Sequence, residues 1–310
     1  MFKVKQMAAV GATVAALLLA GCGGGDPLGQ QSSAVPSASG PGASGPIVVG
    51  SASFTESTII AEIYSQALAA KGIQSSTKLN IGSREIYIKA LQDSSISLVP
   101  EYTGNLLDFV DPDTTAKSAE EVESALPDAL PEGLEVLKSS TAIDQDVYVV
   151  SKKFSEENGV TSLADLAKIT EGVTVAGFSE LEQRPYGPKG LTSVYGVKVK
   201  EFKPFDSAEL MATELNNGNV DVADLFTTAS AISRNQLVQL EDPEQMILPQ
   251  NVIPLVRSEV AQNSTATAAL DAVQAALTTE DLIALNSKVD DDRQDPDQVA
   301  KEWLTSKGLA

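Results

Sequence analysis

Apolar and polar residues alternate along this chain in short runs that predict strands and helices in turn. Residues 47–50 form an apolar run typical of a buried strand, and residues 59–70 carry apolar side chains at helical spacing. The same order recurs with strands at 77–81 and 96–99 and a helix at 86–91. Because strands and helices alternate at short intervals, the sequence predicts an α/β fold with mostly parallel sheets.

The pattern continues in the second half of the chain. Residues 147–150 and 173–178 are apolar, β-branched runs, and residues 247–256 form an apolar, proline-broken stretch that we interpret as a crossing from one lobe back to the other. A chain of 310 residues is long enough for two lobes with separate cores. The predicted lobes are residues 47–145 with 254–310, and residues 146–253.

Two predicted strands end in an aromatic residue followed by threonine. Tyr102 and Thr103 follow the third strand, where Gly104 is expected to break it, and Phe226 and Thr227 close a later strand. Open α/β sheets bind ligands at such strand-to-loop edges. A tyrosine ring presents an electron-rich face that suits a methylated cation. The alternative is an ordinary core tyrosine before a turn.

Charged and small polar residues stand at other predicted strand ends. Ser53 and Phe54 lie in a loop between strand and helix, whose N–H groups make a seat for a carboxylate. Asp146 opens a strand, where it either pairs with a cationic ligand or serves as a solvated strand end or helix cap. Arg184 offers a fork of donors for a carboxylate, with a surface arginine as the alternative. Arg84 is expected on a solvated face.

The amino terminus carries the pattern of an export signal. Residues 1–21 start with positive charge and continue with an apolar run shorter than the ~20 residues of a membrane span. The run ends in Leu19-Ala20-Gly21-Cys22, which resembles the bacterial lipobox, and this resemblance implies lipidation of Cys22. The alternative is a plain signal peptide with an incidental cysteine. Residues 22–46 are predicted to be a flexible Gly/Ser/Pro tether.

Composition removes several classes of function. The chain has no histidine, which excludes Ser-His-Asp and Cys-His catalysis and argues against a zinc site. A formal net charge of −20 argues against nucleic acid as a partner. The acidic run at 290–297 lacks the glycine of an EF-hand loop. We therefore expect neither a metal nor a cofactor.

From residue 47 onward, the order of motifs resembles one family: the extracytoplasmic solute-binding proteins of ABC importers for glycine betaine, choline, carnitine and related osmoprotectants. The motifs that carry this resemblance are Gly50-Ser51, Phe54-Thr55-Glu56, Pro100-Glu101-Tyr102-Thr103-Gly104, Asp206-Ser207, Val220-Asp221-Val222, Phe226-Thr227-Thr228 and Val299-Ala300-Lys301-Glu302-Trp303-Leu304. The resemblance implies a two-lobed, type II periplasmic-binding-protein-like fold with two crossing hinge strands. It also implies an ABC permease and ATPase as partners and a place at the extracytoplasmic face of a bacterial membrane, with Cys22 as the lipid anchor.

The family's pocket encloses a quaternary ammonium in a box of aromatic rings, and its ligand carboxylate meets an arginine. Tyr102 matches the first box tyrosine, and Phe226 a second without its hydroxyl. Arg184 matches the carboxylate-binding arginine, and it is expected to act with Asn105 and Thr103 at the anionic end.

The chain departs from the family pattern at two box positions. Asp146 stands where an aromatic is expected, unless a slip of two residues brings Tyr148 there, and Gln250 stands where tyrosine is frequent. Fewer aromatic faces weaken a pure trimethylammonium cage, while Asp146 offers a counter-charge and Gln250 adds a hydrogen-bonding demand. The predicted ligand is a small zwitterionic or cationic amine with extra polar atoms. A receptor for another amine or an amino acid remains an alternative, as does an enzyme on this scaffold, although no close acid pair is evident in the sequence.

Overall fold

Two five-stranded sheets organise residues 45–310, the part of the chain that the computed structural model describes. The strands in chain order are β1 (Ile47–Gly50), β2 (Ser75–Lys78), β3 (Leu98–Tyr102), β4 (Leu134–Val136), β5 (Asp146–Val150), β6 (Val173–Gly177), β7 (Val199–Pro204), β8 (Val222–Phe226), β9 (Val238–Gln239) and β10 (Val252–Arg257). The first sheet has the order β2-β1-β3-β10-β4 and the second the order β7-β6-β8-β5-β9. We call the first sheet with its helices the first lobe and the second sheet with its helices the second lobe.

Each sheet is mixed, which corrects the expectation of mostly parallel sheets. Strands β1, β2 and β3 pair in parallel, as do β6, β7 and β8, but β10 runs antiparallel to both its neighbours and so does β5. The two antiparallel strands are the ones that arrive from the other lobe. They enter the sheet without a helical crossover, so the rule that favours parallel neighbours does not apply to them.

Helices cover both faces of each sheet. They are α1 (Thr55–Ala70), α2 (Arg84–Gln92), α3 (Thr103–Val110), α4 (Ala119–Ala129), α5 (Lys152–Asn158), α6 (Leu163–Leu166), α7 (Pro188–Tyr195), α8 (Ala208–Asn217), α9 (Ser230–Arg234), α10 (Ser258–Ala261), α11 (Ser264–Ala276), α12 (Thr279–Asp290) and α13 (Pro296–Lys307), with a 3-10 turn at Ser179–Gln183.

Alternate strand residues enter different cores. Leu98 and Tyr102 of β3 pack with α1 and the carboxyl-terminal helices, while Val99 packs with α2, α3 and α4 on the opposite face. In the second lobe Tyr148 and Val149 divide between two cores in the same way. Each lobe is therefore a three-layer α/β/α unit, and the predicted α/β class is confirmed.

Local sequence explains several helix starts. Ser118 and Glu121 form a capping box at the start of α4, and Ser162 and Asp165 form another at the start of α6. Asp295 is the N-cap of α13, with proline at the first helical position.

Two crossing segments join the lobes and pair with each other. The chain leaves the first lobe after β4 and returns before β10, and Ile143 and Asn251 form an antiparallel bridge between the outgoing and returning segments. The Asp144 N–H donates to the Gln250 carbonyl at 3.2 Å, and the Asn251 side chain donates to the Ser140 carbonyl at 3.0 Å. The hinge is thus a short two-stranded ribbon.

Two local expectations were wrong. Gly104 does not open a loop: it lies in the first turn of α3, where a Cβ would come within 2.6 Å of the Pro249 carbonyl oxygen. Glycine is required there by close approach of the returning segment. Arg84 is not solvated either, because its guanidinium is buried against Glu101.

Candidate ligand-binding site

A cleft of about 380 Å³ lies between the two lobes and receives residues from both. The carboxyl ends of the parallel strands β1, β3, β6 and β8 open towards it, and the antiparallel strand β5 begins there. The predicted residues that line it are Ser53, Phe54, Tyr102, Asn105, Asp146, Arg184, Phe226 and Gln250.

Four aromatic rings form one side of the cleft, which we call the aromatic wall: Phe54, Tyr102, Phe178 and Phe226. The Phe54 ring centroid lies 5.3 Å from that of Phe226 and 6.1 Å from that of Tyr102. Phe178 and Phe226 stack with centroids 5.5 Å apart and an interplanar angle of 12°. Because Phe54 and Tyr102 come from the first lobe and the other two from the second, the wall spans the lobe boundary.

The Tyr102 hydroxyl is tied to a buried carboxylate behind the wall. It donates to Glu56 Oε1 at 2.7 Å, and Glu56 Oε2 accepts from Thr228 and Asn286 at 2.7 Å each. Burial, followed by the charge of Glu56, raises the pKa of Tyr102 well above its ordinary value. The hydroxyl is therefore occupied, and the tyrosine offers its ring to the cleft.

Two carboxyl groups and two amides form the base of the cleft, which we call the acid floor: Asp146, Asp224, Asn105 and Gln250. Asp146 Oδ2 accepts from Asn105 Nδ2 at 2.6 Å and from Gln250 Nε2 at 3.0 Å. Asp224 lies beside Asp146, and burial together with the Asp146 charge raises the pKa of Asp224 well above its ordinary value. Asn105 Oδ1 and Asp224 Oδ1 are buried without a hydrogen-bond partner.

A second acid pair lies at the hinge. Asp144 lines the cleft and accepts from the Thr228 N–H at 3.1 Å. Burial and the neighbouring Glu56 carboxylate raise the pKa of Asp144 well above its ordinary value. Close acid pairs, which the sequence did not reveal, are therefore a feature of this cleft.

Both arginines that line the cleft within the described chain are already paired with glutamates. Arg184 Nη1 donates to Glu85 Oε1 at 2.6 Å, and this contact joins the two lobes. Although partial burial opposes ionisation of Glu85, hydrogen bonds from Arg184 and Ser83 lower its pKa to about 2. Arg84 holds both oxygens of Glu101, at 2.7 and 2.9 Å.

Two of the predicted residues lie beside the cleft rather than in it. The Thr103 hydroxyl donates to the Pro249 carbonyl at 3.1 Å and accepts from the Asn251 N–H at 3.0 Å. The Thr227 hydroxyl accepts from the Gln145 N–H at 2.9 Å. Both hydroxyls bind the crossing segments, and neither residue is among those that line the cleft. Cys22 lies outside the described residues.

The sequence missed several cleft residues. Asp224 precedes Phe226 by two positions and so lies on the same face of β8. Because side chains alternate between the faces of a strand, the sequence could have predicted Asp224 in the cleft once Phe226 was placed there. Phe178 directly follows β6 and was detectable by the same strand-end rule that found Tyr102. Of the two candidates for the box position in β5, Asp146 is the one that lines the cleft. Tyr148 is buried, and its hydroxyl donates to the Tyr186 carbonyl at 2.8 Å.

The described chain gives no sign of a metal centre or a membrane span. Within residues 45–310 no group of three or more Asp, Glu, Cys or His side chains is arranged to hold a metal ion. Over the same residues no helix has both the length and the apolar character needed to cross a bilayer.

Comparison with known proteins yields one consistent set of matches. Residues 45–306 match the family described as the substrate binding domain of ABC-type glycine betaine transport systems. A glycine-betaine-binding protein of Pseudomonas aeruginosa is 28% identical over 84% of this chain and 88% of its own, and the glycine betaine-binding protein YehZ of Escherichia coli is 26% identical over 86% and 92%.

A solved structure, the crystal structure of a glycine betaine/carnitine/choline ABC transporter protein, superposes with a TM-score of 0.68 at 20% identity, over 85% of this chain and 99% of that one. The fold is that of the type II periplasmic binding proteins. Proteins of this family are extracytoplasmic transport receptors rather than enzymes. The chain therefore belongs to the family of substrate-binding domains of ABC-type glycine betaine transport systems.

Proposed function

We propose that this protein captures a small cationic or zwitterionic amine of the quaternary-ammonium or betaine type in the cleft between its lobes and delivers it to the permease of an ABC importer. The observation that carries the proposal is the aromatic wall, in which neighbouring rings lie 5.3 to 6.1 Å apart beside buried carboxylates. The relatives named above bind glycine betaine by their names, and this supports the same class of ligand here.

Ring faces and carboxylates attract the same kind of ligand. Each aromatic face contributes roughly 0.5–2 kcal/mol to binding a cation, more where water is excluded. Asp146 supplies a carboxylate to the same cleft, and Asp224 and Asp144 place two further carboxyl groups there. A positively charged nitrogen would gain from both, whereas an uncharged ligand would leave the carboxylates uncompensated.

The residues assigned to the ligand keep separate roles in this proposal. Tyr102 and Phe226 stack on the cation with Phe54 beside them, and Asp146 neutralises it. Asn105, Gln250, Ser53 and Arg184 complete the cleft.

A screen of trimethylammonium compounds tests the proposal. Choline, glycine betaine and carnitine are each titrated into the purified protein, followed by calorimetry and by the rise in unfolding temperature. At least one should bind with a single site and raise the unfolding temperature. Binding of an amino acid or an uncharged solute, with no response to any trimethylammonium compound, would favour the alternative receptor and overturn this one.

We also infer the organisation of the whole chain. Residues 1–21 act as a signal peptide, Cys22 carries lipid, and residues 22–46 tether the folded lobes to the outer face of the membrane. The first lobe comprises residues 47–145 with 254–310 and the second residues 146–253, apart from Val252 and Ile253, which belong to β10 of the first sheet. Metabolic labelling with a fatty-acid analogue should mark the parent protein and leave Cys22→Ser unlabelled, and equal labelling of both would refute the anchor.

A further inference from the structure

The acid floor contains hydrogen-bond acceptors that the protein does not satisfy. Both amide donors, from Asn105 and Gln250, go to the same oxygen of Asp146, at 2.6 and 3.0 Å. Asn105 is 8% exposed and Asp224 is 3% exposed, yet Asn105 Oδ1 and Asp224 Oδ1 have no partner. An unmet buried acceptor is costly, so these atoms favour an occupant that donates hydrogen bonds to them.

The charged residues of the cleft also favour a cationic occupant. The described lining includes five acids: Asp144, Asp146, Glu180, Asp206 and Asp224. Its two arginines, Arg84 and Arg184, are each bound to a glutamate. A ligand carboxylate would meet no free guanidinium there and would lie near like charges.

From these two observations we propose that the ligand carries, beside its methylated nitrogen, a second cationic group with N–H donors, a protonated amine or a guanidinium, which binds the acid floor, and that it carries no carboxylate. This deepens the proposed function and rests on it, because the aromatic wall still holds the methylated nitrogen. A charged N–H group fits better than a hydroxyl. An ammonium carries three donors and a positive charge to the two unmet oxygens and the carboxyl groups of the floor, whereas a hydroxyl donates once and stays neutral.

Strand geometry sets the spacing of the two groups. Asp224 and Phe226 are alternate residues on one face of β8, which separates them by roughly 7 Å along the strand. The methylated nitrogen and the N–H group are therefore a few bonds apart. Burial and the Asp146 charge raise the pKa of Asp224, and a ligand cation beside this carboxyl would offset both effects.

Three probes that differ only at one end test the inference. They are (3-aminopropyl)trimethylammonium, propyltrimethylammonium and (3-carboxypropyl)trimethylammonium, titrated by calorimetry into the full chain. The amino probe should bind at least tenfold more tightly than the propyl probe, and the carboxylate probe more weakly than the propyl probe. Equal affinity for the amino and propyl probes, or tightest binding of the carboxylate probe, would overturn the acid-floor inference while leaving the aromatic site intact.

A variant of Asp224 tests whether the acid floor causes the difference in affinity between the amino and propyl probes. Asp224→Asn should lower the affinity for the amino probe at least tenfold more than it lowers the affinity for the propyl probe. Asp128→Asn makes the same substitution at an exposed position on α4 and should change the affinity for neither probe. A matching loss with both probes would mean that Asp224 acts only through the fold, and would refute its assigned role.

The two proposals fail separately. If none of the three probes binds, the methylated-nitrogen proposal is wrong, and butane-1,4-diamine then tests the floor alone. Binding of the diamine that is lost in Asp224→Asn would keep the acid floor as a cation site. No binding of the diamine would overturn it.

Discussion

Replacing Phe226 by leucine removes one ring from the aromatic wall while keeping an apolar side chain. The ring contacts two others, with centroids 5.3 Å from Phe54 and 5.5 Å from Phe178. Each aromatic pair contributes about 0.5–1.5 kcal/mol, so losing both should lower the free energy of unfolding by roughly 1–3 kcal/mol. A lost cation–π face of about 0.5–2 kcal/mol should raise the Kd for choline roughly 2- to 30-fold.

Calorimetry with choline at neutral pH measures the binding effect, and chemical unfolding of the free protein measures the stability effect. Phe226→Tyr keeps the ring and should bind within about threefold of the parent, since the face is retained. Phe109→Leu, a partly buried phenylalanine on α3 outside the cleft, controls for the loss of a ring elsewhere. An unchanged Kd in Phe226→Leu, with the parent binding choline, would show that this ring does not contact the cation.

Three further outcomes follow from the contacts. Tyr102→Ala should fold but lose most of its affinity for choline, since a wall ring is gone, whereas calorimetry showing parental affinity would remove Tyr102 from the site. Burial and the charges of Asp146, Glu180 and Asp144 raise the pKa of Asp224, so its contribution to stability is present below about pH 4 and lost as the pH rises. The unfolding temperature of the free protein should therefore fall less steeply above pH 4 in Asp224→Asn than in the parent, and parallel curves would contradict this. Glu85→Gln breaks an ion pair between the lobes in which the Glu85 side chain is 44% exposed and that of Arg184 11%. Because the glutamate is so exposed, the variant should lose only about 1 kcal/mol of stability, but it should speed choline release in stopped-flow measurements. Unchanged release would show that the pair does not hold the lobes together.

The sequence predicted the elements whose signal is local. Apolar, β-branched runs located β5 and β6, because the residues that carry this signal are neighbours in the chain. The strand-end rule placed Tyr102 and Phe226 on one cleft for the same reason. The β-strand direction of β5 and β10 was not predictable from their own residues, since it depends on which lobe the chain arrives from.

The polar contacts of the cleft depend on residues distant in the chain. The sequence placed Arg84 on the surface because nothing in it shows that the fold brings Glu101 to this side chain. The Thr103 hydroxyl accepts from the N–H of Asn251, almost 150 positions away in the chain. Asp146 and Asp224 meet only because β5 and β8 are neighbours in the second sheet. Contacts between residues so distant in the chain produce no periodic pattern in a single sequence, so the acid floor could not be predicted before the structure was known.

The central claim is that the aromatic wall holds a methylated cation. A crystal structure of the protein with bound choline tests it most directly. We expect the choline nitrogen within about 6 Å of the ring centroids of Tyr102 and Phe226, on the faces of both rings. Choline bound outside the interlobe cleft, or a nitrogen that faces neither ring, would contradict it.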